Sequence, residues 1–417
     1  MTSRLGIPDL GIRHALLLQG PMGPFSRRFA DDLRAAGITV TKVTLNAGDA
    51  LFFRGPEAVA YRGTREDFPD FVRSLIAQRG IDGLIVFGDG RPYHRAAIEI
   101  ASERSLPVLV LEEGYLRPNH VTIEREGVNG FSRLPRDPEV YRAFADVDTG
   151  PVRPTGKSFR YAGWYATLYA IALTFGRIAY PHYRHHRPLN AFVEAYRWVL
   201  SGARKLRYAQ KERGVIETLL SSHDGRYFVL ALQVHCDFQL EHSRFASVEA
   251  FIEETVASFA THAPADHKLV VKHHPLDRAY RDYTRLIARL RREHGLGDRL
   301  IYVHDLHLPT LLKHCRGTVM INSTVGLQAL EYGTPTKILG TAIYDLPGMT
   351  DQASLEQFWK DPRGPDPVLV RGFCHYLLHE NQVNGNFYLP LEGTERGAGL
   401  IWPQTWGQRS ALNRKRE

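Results

Sequence analysis

The residues of this chain that could do chemistry fall just after short β-rich apolar runs. Glu112-Glu113 closes the run 107–111, and Gln-Val-His-Cys-Asp (233–237) follows the run 227–232. Lys-His-His-Pro (272–275) ends the run 268–272. Asn-Ser-Thr (322–324) follows Thr318–Ile321 and opens a helical spacing that Gly333 stops. Two adjacent carboxylates raise one another's pKa when both are partly buried, which suits a general base. A helix start with free N–H groups and the hydroxyls of Ser323 and Thr324 suits an anion such as a phosphate. An ordinary βαβ connection with a good cap would read the same way. Asn46/Asp49 and Asp89/Arg91 sit after two further runs, as helix caps or as groups that position a substrate.

What must position these residues is an open α/β sheet, because the carboxyl ends of its strands line the ligand crevice. The pattern supplies it. Runs 14–19, 38–45, 82–87 and 107–111 alternate with helical spacings 26–36, 68–78 and 93–105. The alternation resumes at Arg213 with helices 215–222, 247–262, 278–294 and 308–315 between runs 227–232, 268–272, 300–303 and 318–321. The fold class expected is α/β, as two Rossmann-like, doubly wound domains. The divisions expected are 1–150, 151–212, 213–345 and 346–417, the last holding C-terminal helices and a tail. The loop 19–25 after the first run holds two glycines but no GxGxxG, so the dinucleotide fingerprint is absent.

Composition bounds the partners. The chain has 417 residues, is 43% hydrophobic and 24% charged, and carries a net charge of +8, which suits an anionic partner. Its three cysteines are scattered and form neither a disulfide framework nor a zinc site, in keeping with a reducing compartment. Nineteen histidines come without HExxH or CxxC, so no metal is expected. The first thirteen residues show no secretion signal.

Residues 151–212 break the alternation. Tyr161 to Gly176 is uncharged, and aromatic and basic residues follow, including Arg184, Arg187, Arg204 and Lys205. The run is too short and too rich in small residues for a spanning helix. Aromatics such as Trp164 and Tyr165 beside a basic cluster suit a helix lying in the interface of an anionic membrane. A buried helix packed on the sheet with a solvated basic loop is the alternative. No nucleic-acid-binding motif accompanies the basic residues, so no nucleic-acid partner is expected.

The order of motifs resembles the capsule polysaccharide biosynthesis family, of the KpsS/LipB type and related to the KpsC-type transferases. The matching pieces are Leu-Leu-Gln-Gly-Pro-Met-Gly-Pro-Phe (17–25), Phe-Gly-Asp-Gly-Arg-Pro-Tyr-His-Arg (87–95), Glu-Glu-Gly-Tyr-Leu-Arg-Pro (112–118), Gln-Val-His-Cys-Asp (233–237), Lys-His-His-Pro (272–275) and Asn-Ser-Thr-Val-Gly-Leu-Gln-Ala-Leu (322–330). The resemblance implies a GT-B-like arrangement, with the two domains facing a cleft and the helical insertion touching the membrane. It also implies a retaining transfer of the first β-Kdo (3-deoxy-manno-octulosonic acid) from CMP-β-Kdo to phosphatidylglycerol or lyso-phosphatidylglycerol. The enzyme would work at the inner face of the cytoplasmic membrane beside other capsule proteins such as a KpsC-type transferase.

On that resemblance Asp237 is the nucleophile and Glu113 the base for the acceptor hydroxyl. Lys272, His274, Pro275, Ser323, Thr324, Gly326 and Glu331 hold the donor, Glu331 through the ribose or else as a plain helix-end residue. Gln19, Asp89, Arg91, Glu112, Arg117 and Gln233 position substrates. No cofactor beyond the donor CMP-Kdo is implied. The chain departs from the KpsC-type motif in having Glu113 for Asp and His235-Cys236 before Asp237. Two alternatives stay open: another nucleotide-sugar transferase or epimerase, and a non-catalytic capsule assembly or export factor.

Overall fold

The apolar runs pair into two separate sheets. The structure is a computed structural model that describes residues 4–185, 189–394, 397–403 and 405–406. In its first half the elements are β1 (Arg4–Leu5), β2 (His14–Leu17), α1 (Phe25–Ala35), β3 (Thr39–Thr44), α2 (Ala47–Phe52), β4 (Ala58–Ala60), α3 (Phe68–Arg79), β5 (Gly83–Phe87), α4 (Pro92–Glu103), β6 (Val108–Glu113) and β7 (His120–Arg125). Then come α5 (Pro138–Arg142), α6 (Phe159–Phe175), α7 (Ala191–Lys211) and α8 (Val215–Ser222). The second half runs β8 (Tyr227–Ala231), α9 (Val248–His262), β9 (Lys268–Lys272), α10 (Thr284–Glu293), β10 (Leu300–Val303), α11 (Leu308–His314), β11 (Gly317–Met320), α12 (Val325–Glu331) and β12 (Thr336–Ile338). It closes with α13 (Leu355–Lys360), α14 (Pro367–Glu380), β13 (Gln382–Asn384) and β14 (Ile401–Trp402).

Contacts divide the chain into two units: residues 1–133, 148–194 and 374–417, and residues 134–147 and 195–373. The sheet of the first unit has the order β1-β14-β13-β7-β6-β5-β2-β3-β4. Its five strands from β6 to β4 are parallel, and β7, β13, β14 and β1 extend it antiparallel. Alternate residues face opposite ways, as a strand requires. Leu17 and Ile85 pack with Phe25, Phe29 and Val383 on one face, and Leu16, Leu84 and Val86 pack with Phe68 and Val72 on the other. The second unit's sheet is wholly parallel in the order β10-β9-β8-β11-β12. Phe228, Leu230, Leu269 and Val271 face one core, and Tyr227, Val229 and Val270 the other.

The expected α/β class and both Rossmann-like sheets are present. The units, however, are discontinuous where the sequence reading drew contiguous blocks. The tail re-enters the first unit because Val383 hydrogen-bonds across to β7 and packs into the core with Trp402 and Trp406. Residues 151–212 are shared between the units, with α7 crossing the division at Glu194. The helix expected over 278–294 begins only at Thr284, because Pro275–Asp277 forms a 3-10 turn capped by His274.

Candidate functional site

In the first unit the carboxyl ends of β2, β3, β5 and β6 lie side by side, since these strands are parallel neighbours. A buried polar network joins three of them. Gln19 Nε2 donates to the hydroxyls of Tyr169 (2.6 Å) and Tyr183 (3.0 Å). Asn46 Nδ2 donates to the same Tyr169 hydroxyl at 2.7 Å, and that hydroxyl donates to Asp49 Oδ1 at 2.9 Å. Asp49 also accepts from the Leu45 amide, while Asn46 caps α2 by accepting from the Asp49 amide. Arg91 donates to Gln19 Oε1 at 3.2 Å, with its guanidinium 5.0 Å from the Phe87 ring centroid. Burial lowers its pKa, against the pull of Tyr169, Tyr183, Glu112 and Asp49.

Beside this network stands the carboxylate pair. Burial pushes Glu112 up to about 7, with the charges of Glu113 and Asp89 adding and Arg91 opposing. Its Oε1 accepts from the Glu113 amide at 2.9 Å. Gly88 has φ +70°, and a Cβ there would lie 3.3 Å from Glu112 Oε2, so glycine is what lets this strand end pass so near the carboxyl. Glu113 accepts from the Tyr388 hydroxyl at 3.2 Å. The base is expected at Glu113; its neighbour Glu112 is the carboxyl that burial raises towards neutral pH. Asp89 is buried and accepts from the Val128 amide at 2.9 Å. Arg117 is exposed and folds back on its own turn, donating to the Gly114 carbonyl at 3.1 Å.

In the second unit the ends of β9, β8 and β11 are adjacent in that order. Asp237 caps the 3-10 turn Phe238–His242, accepting from the Gln239 amide at 3.0 Å. Two residues earlier, His235 is held by a buried carboxylate. Asp277 Oδ2 accepts from the His235 amide at 2.7 Å, and Asp277 Oδ1 lies 2.6 Å from His235 Nδ1. Gln233 is buried and its Nε2 has no hydrogen-bond partner among the described residues; the same holds for Asn322 Oδ1 on β11's end. His274 caps the turn after β9, its Nδ1 accepting from the Leu276 amide at 3.2 Å, with Pro275 exposed beside it.

Several expected donor contacts are differently placed. Lys272 is buried, and its amine donates to the carbonyls of His273 (3.1 Å) and His304 (2.5 Å), tying the ends of β9 and β10 together. Burial lowers its pKa to about 8. Thr324 stands at the N-terminus of α12 without a side-chain cap bond, whereas Ser323 Oγ accepts from Val325 N at 3.3 Å. Gly326 is needed for packing: a Cβ there would lie 2.2 Å from the Tyr344 hydroxyl, which donates to the Ser323 carbonyl. Glu331 is exposed at the helix end. The missed residues are the His235–Asp277 pair, Tyr388 and the tyrosines Tyr169 and Tyr183. His235 had a signal, standing within the 233–237 stretch, and Asp277 a weaker one, two places after Pro275.

Of the residues assigned to a membrane, Trp164 is 59% exposed, and Arg184 and Lys205 are exposed. Tyr165 turns inward, its ring 5.8 Å from Phe52 and against Gly23. Arg204 is likewise engaged, donating to the Arg278 carbonyl at 2.7 Å. Arg187 lies outside the described residues. Among the described residues no helix is long and apolar enough to cross a membrane, and no cluster of His, Cys, Asp and Glu could hold a metal ion.

Residues 82–388 match the family described as capsule polysaccharide biosynthesis protein. The chain belongs to that family. It is 42% identical over 378 residues to the Escherichia coli capsule polysaccharide export protein KpsS, covering 89% of this chain and 96% of that one. It is also 42% identical over 381 residues to the Neisseria meningitidis capsule polysaccharide modification protein LipB, covering 89% and 91%. Thermosulfurimonas dismutans KpsC, a beta Kdo 2,7 transferase, is a looser structural likeness: TM-score 0.40, 16% identity, 86% of this chain and 89% of that one. The segment matched to the capsule family takes in both sets of strand ends from Asp89 to Ser323, and leaves Gln19 outside it.

Proposed function

We propose that this capsule-family protein is a retaining glycosyltransferase that moves β-Kdo from CMP-β-Kdo to phosphatidylglycerol or its lyso form, as a peripheral protein on the inner face of the cytoplasmic membrane. The observation that carries the reading is the gathering of carboxylates at strand ends, with Glu112 tuned to about 7 beside Glu113. The choice of sugar and lipid rests on the motif resemblance. The Asp237 carboxylate attacks the anomeric carbon as the bond to the phosphate oxygen breaks and CMP leaves with the electron pair. The acceptor hydroxyl then attacks the same carbon, Asp237 departs as a carboxylate, and a general base takes the hydroxyl proton, the role that the motif resemblance gives to Glu113. Two inversions restore the β configuration. Gln233 Nε2 and Asn322 Oδ1, which lack partners among the described residues, are suited to a polar donor, with His235 and His274 on the neighbouring loops.

The test is purified protein with CMP-Kdo and a fluorescent phosphatidylglycerol, followed by mass spectrometry of lipid and enzyme. A Kdo-bearing lipid and a mass increment on the Asp237 peptide are expected. Absence of product, or full activity of Asp237→Asn, overturns the reading. A second reading, a non-catalytic export factor, is favoured by the name of the Escherichia coli relative. It requires that Asp237→Ala and Glu113→Gln leave capsule formation intact.

A further inference from the structure

α7 is a helix with two different faces. Arg197, Ser201, Arg204 and Tyr208 recur at helical spacing, and Glu212 continues the line just past its end. Each of them grips the loops after β9 and β10. The Arg197 guanidinium lies 4.4 Å from the Tyr280 ring centroid. Arg204 donates to the Arg278 carbonyl, and Arg278 donates back to Ser201 Oγ at 3.1 Å while pairing with Asp305. Tyr208 lies flat on His304, centroids 3.5 Å apart. Glu212 Oε1 accepts from the His304 amide at 2.8 Å, and Oε2 from the Asp305 amide at 3.1 Å. The gripped loop, 275–283, carries Asp277, which in turn holds His235.

The opposite face is apolar and bare. Phe192 is 69% exposed, Tyr196 67%, Val199 74% and Leu206 76%, again at helical spacing, with Ala203 between them. Lys205, Arg207 and Lys211 are exposed along its flanks. Residues 151–211 hold eleven lysines and arginines and a single carboxylate, Glu194. A bare apolar stripe between cations complements an anionic lipid surface, which takes the stripe into its acyl boundary and the cations among its headgroups. A repeat of the same chain would bring the same cations face to face.

We propose that α7 docks on an anionic bilayer through Phe192, Tyr196, Val199 and Leu206, and that its inner face links this docking to the placement of the 275–283 loop and hence of His235. This rests on the membrane-surface reading above and adds the element that docks and what docking does. A helix pinned at the bilayer holds a fixed position, so the loop it grips is ordered with it.

The experiment uses the full chain with phosphatidylglycerol or phosphatidylcholine vesicles, reading co-sedimentation and hydrogen–deuterium exchange over 275–283. Phosphatidylglycerol vesicles are expected to sediment the protein and slow exchange in that loop at least about fivefold. Val199→Asp/Leu206→Asp, both on the exposed face, is expected to abolish sedimentation with exchange of the free protein unchanged. Glu212→Gln is expected to sediment normally and lose the slowing. Sedimentation of Val199→Asp/Leu206→Asp at the wild-type level overturns the docking face. A chain that sediments without slowing of the loop overturns the linkage while the membrane-surface reading stands. A dimer in solution that Val199→Asp dissociates, with no vesicle binding by wild type, overturns the lipid as occupant.

Discussion

The strand ends of the two sheets are built from different chemistry. Those of the first unit carry carboxylates and an arginine, Glu112, Glu113, Asp49 and Arg91, beneath the tyrosines Tyr169 and Tyr183. Those of the second carry imidazoles and amides, His235, His273, His304, Gln233 and Asn322, with Asp237 on the loop that follows β8. Each set is secured by one helix from the stretch that interrupts the α/β alternation. α6 reaches the first through Tyr169, and its far side leaves Trp164, Ile171 and Phe175 exposed. α7 secures the second through Tyr208 and Arg204. On the proposed reaction the difference is a division of labour. A carboxyl raised towards neutrality can take and return a proton near pH 7. Imidazoles held by side chains, His235 by Asp277 and His304 by Glu212, with the amides beside them, would recognise the donor.

The contrast can be broken at its strongest point first. Asp237→Asn is expected to lower turnover about 10³-fold in the lipid-transfer assay, because an amide cannot serve as the nucleophile. Equal losses from any substitution among the recognising residues would erase the distinction. Glu113→Gln and Glu112→Gln then separate the paired carboxylates. The wild-type rate is expected to rise with pH through about 7. Loss of that limb in Glu112→Gln alone assigns the titrating group to Glu112.

The same carboxyl makes a stability prediction. Its pKa is higher folded than the ordinary 4.5, so the stability it contributes is present below pH 4.5 and is lost as pH rises through about 7. Glu112→Gln, which never ionises, is therefore expected to exceed wild type at pH 8 by at most about 3 kcal/mol in urea denaturation. The two are expected to match near pH 4. A smaller effect is expected from Tyr169→Phe, which leaves Gln19, Asn46 and Asp49 without their shared hydroxyl and costs about 2 kcal/mol. The smallest belongs to Tyr208→Phe. It keeps the ring on His304 and is expected to stay within about 0.5 kcal/mol of wild type. A Tyr208→Phe loss equal to that of Tyr169→Phe would show that the two helices are fastened alike.

Much of this was legible in the chain. Short continuous apolar runs ending in polar residues located β2, β3, β5, β6, β8, β9, β10 and β11 and named the strand-end groups, because hydrophobic runs and turn chemistry are local properties. β7 and β13 were not recognised. Both pair antiparallel beyond the parallel set, and β13 is only three residues long.

What the sequence by itself determined is the class of fold, the family and the roll of polar residues at strand ends. Tertiary structure alone decided which of them are available. It buried Lys272 against two carbonyls, turned Tyr165 and Arg204 inward, and brought Asp277 to His235. It also raised the pKa of Glu112 by burying it. The physical reason is that availability and pKa depend on which groups from distant parts of the chain displace water around a side chain. Spacing along the chain carries no record of that.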